Sequence, residues 1–141
     1  MIQYRFNTKN MKKNKTSEEQ WKSQLSEDVY RVARQQGTEA PFSGRYYQNK
    51  ETGIYHCICC NAELFSSQEK YDSGSGWPSF WRPVNNTCIT EIKDVTLGML
   101  RTEVRCSDCD AHLGHVFEDG PQPTGLRYCI NSICLDLEKS I

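Results

Sequence analysis

From Leu100 to Cys106 the side chains alternate, with Leu100, Thr102 and Val104 set against Arg101, Glu103 and Arg105. This two-residue period predicts a β-strand with one face buried. Upstream of residue 41 the period is helical instead. Thr16 or Ser17 can cap a first short helix, with Glu19 or Gln20 completing a capping box and Trp21 and Leu25 sharing one face. Ser26 caps a second helix, Glu27 and Asp28 sit in its first turn, and Val29, Val32 and Ala33 form its apolar stripe. Gly37 ends that helix and Pro41 prevents a restart. Both helices are expected on the outside of a sheet. Beyond residue 41, short β-branched and aromatic runs alternate with turn residues. They predict strands near Gly53–Cys57, Glu63–Ser66, Cys88–Ile92, Met99–Cys106, Val116–Phe117, Arg127–Asn131 and Ile133–Leu137. The fold class is therefore mainly β, a small antiparallel domain with its helices confined to the N-terminus.

Length and charge refine this picture only slightly. The chain has 141 residues, enough for one domain, and a formal net charge of −1. Residues 1–16 hold Arg5, Lys9, Lys12, Lys13 and Lys15 and no acid, which leaves the rest at −6. We read 1–16 as a disordered basic head and 17–141 as a single catalytic domain. The acidic body has no basic stripe, so nucleic acid is not an expected partner. There is no apolar run of signal-peptide or membrane-spanning length, so a soluble, cytoplasmic protein is expected, with no membrane partner.

Eight cysteines change the picture more. Cys57-Ile-Cys-Cys60-Asn-Ala-Glu-Leu64 and Cys106-Ser-Asp-Cys109-Asp-Ala-His-Leu113 both read C-x-x-C-(N/D)-A-x-L. Two such knuckles supply four thiolates, the usual tetrahedral set for a structural zinc ion. Cys59 competes with its neighbours for the first pair, and reduced buried thiols or disulfides are the alternative. A separate thiol, Cys129, lies in Arg127-Tyr-Cys-Ile-Asn131. On a strand, Arg127, Cys129 and Asn131 share a face. A guanidinium beside a thiol favours the nucleophilic thiolate. His112 and His115 can move protons, and Asn131 can donate a hydrogen bond at the reacting centre. The competing reading makes Cys129 a small buried hydrophobe and the histidines core residues. Gly74-Ser-Gly-Trp77-Pro-Ser-Phe80-Trp81 reads as a sharply turned loop whose Trp77 and Phe80 can wall a small alkyl group.

The segments Gly-Trp77-Pro-Ser-Phe80, Arg101-Thr-Glu-Val-Arg-Cys106-x-x-Cys109, His112-Leu-Gly-His115-Val-Phe-Glu-Asp119-Gly-Pro and Arg127-Tyr-Cys129-Ile-Asn131-Ser132 together resemble the B-type methionine-R-sulfoxide reductases. The resemblance runs from about Trp21 to Leu137 and matches the zinc-containing branch. It implies two antiparallel sheets with short N-terminal helices. The implied activity is reduction of the R epimer of methionine sulfoxide, free or in oxidised proteins, in the repair of oxidative damage. It casts Cys129 as the nucleophile, left as a sulfenic acid, and Trp77 as the holder of the substrate methyl group. His112, His115 and Asn131 would surround the sulfoxide oxygen, and Asp119 and Arg127 would order the network and bias Cys129 toward thiolate. Cys57, Cys60, Cys106 and Cys109 match the ligands of one structural zinc ion. The resemblance further implies a monomer recycled by thioredoxin or another thiol.

This chain departs from the family pattern at Ser75, where many members carry the resolving cysteine. Cys59, Cys88 and Cys134 are the spare thiols, Cys88 being slightly preferred, and direct reduction by an outside thiol is the alternative. Two other classes compete: a non-catalytic zinc module that binds a partner, and a cysteine hydrolase built on Cys, His and Asn.

Overall fold

The computed structural model describes residues 15–140, so the basic head read at 1–16 lies outside them except for its last two residues. Helix α1 (Glu18–Gln24) begins with the expected box. The Gln20 N–H donates to Ser17 Oγ at 3.2 Å, and the Ser17 N–H donates to Gln20 Oε1 at 2.9 Å. Trp21 is buried. Ser26 caps α2 (Glu27–Val29), after which the chain widens into a π-turn over Tyr30–Arg34. The predicted second helix is therefore interrupted in its pitch, although its apolar pair Val32 and Ala33 is fully buried. The Gly37 N–H closes on the Arg31 carbonyl at 3.0 Å, where the sequence places the stop. No helix among the described residues is long and apolar enough to cross a membrane.

The strands form two antiparallel sheets. One has the order β2 (Glu63–Ser66), β1 (Gly53–Cys57), β9 (Leu135–Lys139). The other runs β3 (Lys70–Tyr71), β4 (Ser79–Phe80), β8 (Arg127–Ile130), β7 (His112–Phe117), β6 (Arg101–Cys106), β5 (Ile89–Asp94). The expected mainly β fold with short N-terminal helices is thus the observed one. Aromatic rings join the layers. Phe80 stacks on Phe65 with centroids 4.5 Å apart, Tyr55 meets Phe80 at 5.4 Å, and Tyr46 meets Tyr55 at 5.2 Å. Such pairs add to the area that they bury.

Two expectations need correction, and two strands, β3 and β4, were not expected. Strand β7 starts at His112, not near Val116, because Gly114 lets it lie tightly on β8. A Cβ at Gly114 would sit 2.0 Å from the Cys129 carbonyl oxygen. The glycine that weakens the strand pattern is what the pairing requires. Strands β3 and β4 carry no readable period because each has two residues. The buried-face reading of β6 is incomplete. Val104 is buried, Leu100 is exposed and outside the strand, and Glu103 on the polar face is only 1% exposed. Gln36 covers that face and donates to Glu103 Oε1 at 3.0 Å.

Candidate active site and metal centre

Strand register sorts the side chains of the six-stranded sheet. Ser79 pairs with Cys129, Cys129 with His115, and His115 with Glu103. Residues paired across antiparallel strands project to one face, so these four share the face away from the aromatic core. Phe80 pairs with Tyr128 on the other face. Phe80 is fully buried against Phe65 and does not line the cavity, which corrects its expected substrate contact. The reason is the alternation itself: the neighbour of a site-facing Ser79 must face the core.

A cavity of about 310 Å³ opens on the site face. Cys129, Trp77, His115, Asn131, Arg127 and Ser75 line it together. Thr38, Arg101, Gly114 and Phe117 also line it and were not singled out from the sequence. His112 stands behind this wall. It is 4% exposed, its ring centroid lies 5.6 Å from that of His115, and its Nδ1 is 2.7 Å from Glu103 Oε2. Asp119 is also outside the cavity. Its exposed carboxylate accepts two bonds from Arg127, at 2.8 and 3.0 Å, while the Arg127 guanidinium lies 4.4 Å over the Phe117 ring.

Two carboxylates hold the imidazoles, and neither was singled out from the sequence. His115 Nε2 lies 2.8 Å from Asp94 Oδ2, an acid at the far end of β5 that no local motif marks. Glu103 lies inside the quoted Arg101–Cys106 segment, and the general need of a catalytic imidazole for an orienting carboxylate could have pointed to it. Burial would raise the Asp94 carboxyl, but hydrogen bonds from His115 and Thr96 outweigh it and hold Asp94 well below the usual range. An ionised Asp94 fixes the neutral His115 proton on Nε2 and leaves Nδ1 as the basic nitrogen. Burial lowers His115, with Asp94 pulling it back up.

The thiol itself differs from the sequence reading. Burial pushes the Cys129 thiol above its ordinary value, although Ser75 and Arg127 pull it down. Asp119, which occupies the Arg127 guanidinium, works against the thiolate. The resting site therefore holds a thiol on the same face as a neutral His115 imidazole. Alkylation of Cys129 in the free enzyme should rise with pH and level off only above the ordinary thiol range. Peptide mass spectrometry of iodoacetamide-treated protein across pH measures this, and a plateau at or below that range would contradict it.

Ser75 Oγ lies 3.8 Å from Cys129 Sγ. The spare thiols are elsewhere. Cys134 is fully buried and donates to the His112 carbonyl at 3.2 Å. Cys88 immediately precedes β5, three strands from β8. That separation is about 14 Å across the sheet and about 13 Å along it at normal strand spacing, whereas a disulfide needs Cα atoms within about 7 Å. Cys59 sits beside a cluster of four other cysteine sulfurs.

In that cluster the sulfurs of Cys57, Cys60, Cys106 and Cys109 all lie within 4.8 Å of one another, and Cys59 is not a member. Cys57 Sγ is 3.7 Å from Cys109 Sγ, and Cys60 Sγ is 3.5 Å from Cys106 Sγ. Four thiolates about 2.3 Å from a tetrahedral zinc are about 3.8 Å apart, so the set is already close to the size of one such ion. No two of the eight cysteines are joined by a disulfide, and the 3.5–3.7 Å sulfur separations are far longer than an S–S bond. The repeated motif explains the geometry. The Asn61 N–H donates to the Cys57 carbonyl and the Asp110 N–H to the Cys106 carbonyl, both at 2.8 Å. Asn61 and Asp110 adopt φ of +69° and +68°, which Asn and Asp tolerate best among non-glycine residues. Arg34, missed from sequence, adds a buried cation. It donates to the Cys109 carbonyl at 3.0 Å and toward Cys109 Sγ at 3.6 Å.

Residues 25–139 match the family described as the SelR domain. The chain is 62% identical over 122 residues to the peptide methionine sulfoxide reductase MsrB of Thioalkalivibrio sulfidiphilus, covering 86% of this chain and 89% of that protein. It is 58% identical over 127 residues to the protein of that name from Pseudomonas putida, covering 90% and 97%. With the Acinetobacter baumannii protein of the same name, identity is 61% over 127 residues, covering 90% and 91%.

Proposed function

The chain belongs to the SelR-domain family, in company with the peptide methionine sulfoxide reductases MsrB, and on that premise we propose that it reduces the R epimer of methionine sulfoxide through Cys129. One observation carries the residue assignment: Cys129, Trp77 and His115 line a single cavity. Trp77 receives the substrate methyl group against its ring. His115 Nδ1 takes the Cys129 proton, and the sulfur attacks the sulfoxide sulfur. The proton then passes to the oxygen, which transfers to Cys129 as its bond to the substrate sulfur breaks. Thiol and sulfoxide become sulfenic acid and thioether, so atoms and electrons balance. His112, held by Glu103, supports the His115 ring, and Asn131 borders the oxygen site. Arg127, aligned by Asp119, contributes positive charge near the sulfur. Assaying the separate R and S epimers with dithiothreitol tests this. Reduction of R alone is expected, and equal turnover of S would overturn it.

The hydrolase reading assigns Asn131 the task of orienting the imidazole that serves the cysteine. Here Asp94 orients His115, while Asn131 spends Oδ1 on the Glu39 N–H at 2.9 Å and Nδ2 on the Leu113 carbonyl at 3.0 Å.

The four-cysteine cluster suits one zinc ion, which would crosslink the two knuckles and supply no open coordination position. Recycling falls to an outside thiol such as thioredoxin. Ser75 occupies the position facing Cys129, and the three spare thiols lie elsewhere. One thiol converts the sulfenic acid to a mixed disulfide and water, and a second releases Cys129. Ser75→Cys should then capture the sulfenic acid internally. Peptide mass spectrometry after one equivalent of substrate is expected to show a 75–129 disulfide in the variant. Persistent sulfenic acid in the variant would contradict the geometry.

A further inference from the structure

Glu39 is a buried acid with no cationic partner given by any ion pair or hydrogen bond among the described residues, yet four of its polar atoms are bound. Its N–H donates to Asn131 Oδ1 at 2.9 Å, and its carbonyl accepts the Trp77 indole N–H at 3.1 Å. Its carboxylate accepts the Ser132 N–H at 2.8 Å through Oε2 and the Ile133 N–H at 2.9 Å through Oε1. Ser132 and Ile133 open the 3-10 turn Ser132–Cys134 directly after the Cys129 strand. The free N–H groups of such a turn need an acceptor, and a carboxylate is a strong one.

The surrounding chain is shaped around this contact. A Cβ at Gly44 would lie 2.7 Å from Glu39 Oε2 and 2.2 Å from Ser132 Cβ. Ser132 Oγ accepts the Tyr46 N–H at 2.9 Å. On the other side, the Phe42 N–H donates to the Gly76 carbonyl at 2.7 Å, beside Trp77. Thr38, one residue before Glu39, lines the cavity. Trp77 comes from the loop before β4, and Asn131 follows β8. The two sides of the substrate space thus meet at one residue. Burial raises the Glu39 carboxyl above its ordinary value and the two backbone donors offset this only in part, so loss of either bond would add to the cost of keeping the ionised group there.

We propose that Glu39 is a positioning residue for this reaction: its carboxylate fixes the Thr38–Glu39 strap to the end of the Cys129 strand, and its backbone then sets Trp77 and Asn131 relative to the Cys129 sulfur. The inference rests on the sulfoxide reductase reading and adds to it the residue that spaces the two walls. Reaction rates respond to small misplacements of such groups. Glu39 does not touch the reacting atoms, so it acts on the placing of substrate and leaves the intrinsic chemistry of the thiol unchanged.

The test compares the full-length zinc-loaded protein with Glu39→Gln. The amide keeps the shape but presents an NH₂ group to one of two N–H donors. The expected result is a fall of at least tenfold in kcat/KM for the R epimer per folded, zinc-loaded molecule. The alkylation rate of Cys129 and its pH profile should stay within twofold of wild type. The Trp77 indole N–H, assigned in NMR spectra through Trp77→Phe, should exchange with solvent faster in Glu39→Gln. A kcat/KM within twofold of wild type overturns the inference, as does a loss matched by an equal loss of Cys129 alkylation. A purely structural role would lower the melting temperature without altering kinetics per folded molecule. If Glu39→Gln does not fold, the wild-type protein decides: slow exchange of the Trp77 indole N–H and of the Ser132 and Ile133 amides supports the strap, and exchange as fast as exposed amides overturns it. Wild type inactive on both epimers would instead refute the reductase reading.

Discussion

Cys129→Ser is expected to remove methionine sulfoxide reduction, lowering the rate about a thousandfold or more, while the folded protein keeps its metal. The substitution exchanges one atom on a half-buried strand residue and leaves the Ser79 and His115 pairings in place. The new hydroxyl cannot attack a sulfoxide sulfur, because a neutral hydroxyl beside His115 ionises far less readily than a thiol and is a poorer partner for sulfur. Far-UV circular dichroism and zinc content should match the parent, since the sulfur cluster is built from four other cysteines. Activity within tenfold of the parent would remove Cys129 from the mechanism and leave the other cavity residues without a nucleophile.

Loss of the metal should be as severe, but as a failure of folding. Structural zinc sites contribute an apparent ~10–16 kcal/mol at neutral pH, and a domain of this size is stable by about 5–15 kcal/mol in total. Removing the ion should therefore use up most or all of the stability. Without zinc, Cys57, Cys106 and Cys109, all buried, are left with one another as neighbours and with Arg34 aimed at the Cys109 sulfur. Cys109→Ser, or a strong chelator at neutral pH, is expected to lower the melting temperature by tens of degrees or abolish the transition. Calorimetry with metal analysis measures this. A chelated, metal-free protein that melts at the parent temperature would rule out a structural ion.

The contrast between Phe80 and Cys129 shows how much of the site was legible. Both sit in motifs that stand out in the sequence, and both belong to strands paired across Ser79–Phe80 and Tyr128–Cys129. Alternation within Arg127–Ile130 places Arg127 and Cys129 together without any structure. Strand β4 has two residues and no period, so only its pairing reveals that Ser79 faces the site and Phe80 the core. The knuckles were legible for a different reason. Each closes on itself within six residues, from Cys57 to Ala62 and from Cys106 to Ala111, through local backbone bonds and a left-handed Asn or Asp. Asp94 and Glu39 were not legible, because each acts on a partner distant in the chain, on His115 and on residues 131–133.

The sequence by itself determined what depends on neighbours along the chain: the capping box of α1, the metal knuckles, the shared face of Arg127 and Cys129, and the family to which those motifs belong. These follow from short-range sterics, hydrogen bonding and side-chain chemistry. Only the tertiary structure decided which carboxylate holds which imidazole, that Cys88 stands strands away from Cys129, and that a buried glutamate joins the two walls of the cavity. Those features depend on strand order and register, which arise when two sheets bury their aromatic faces together and which no local pattern encodes.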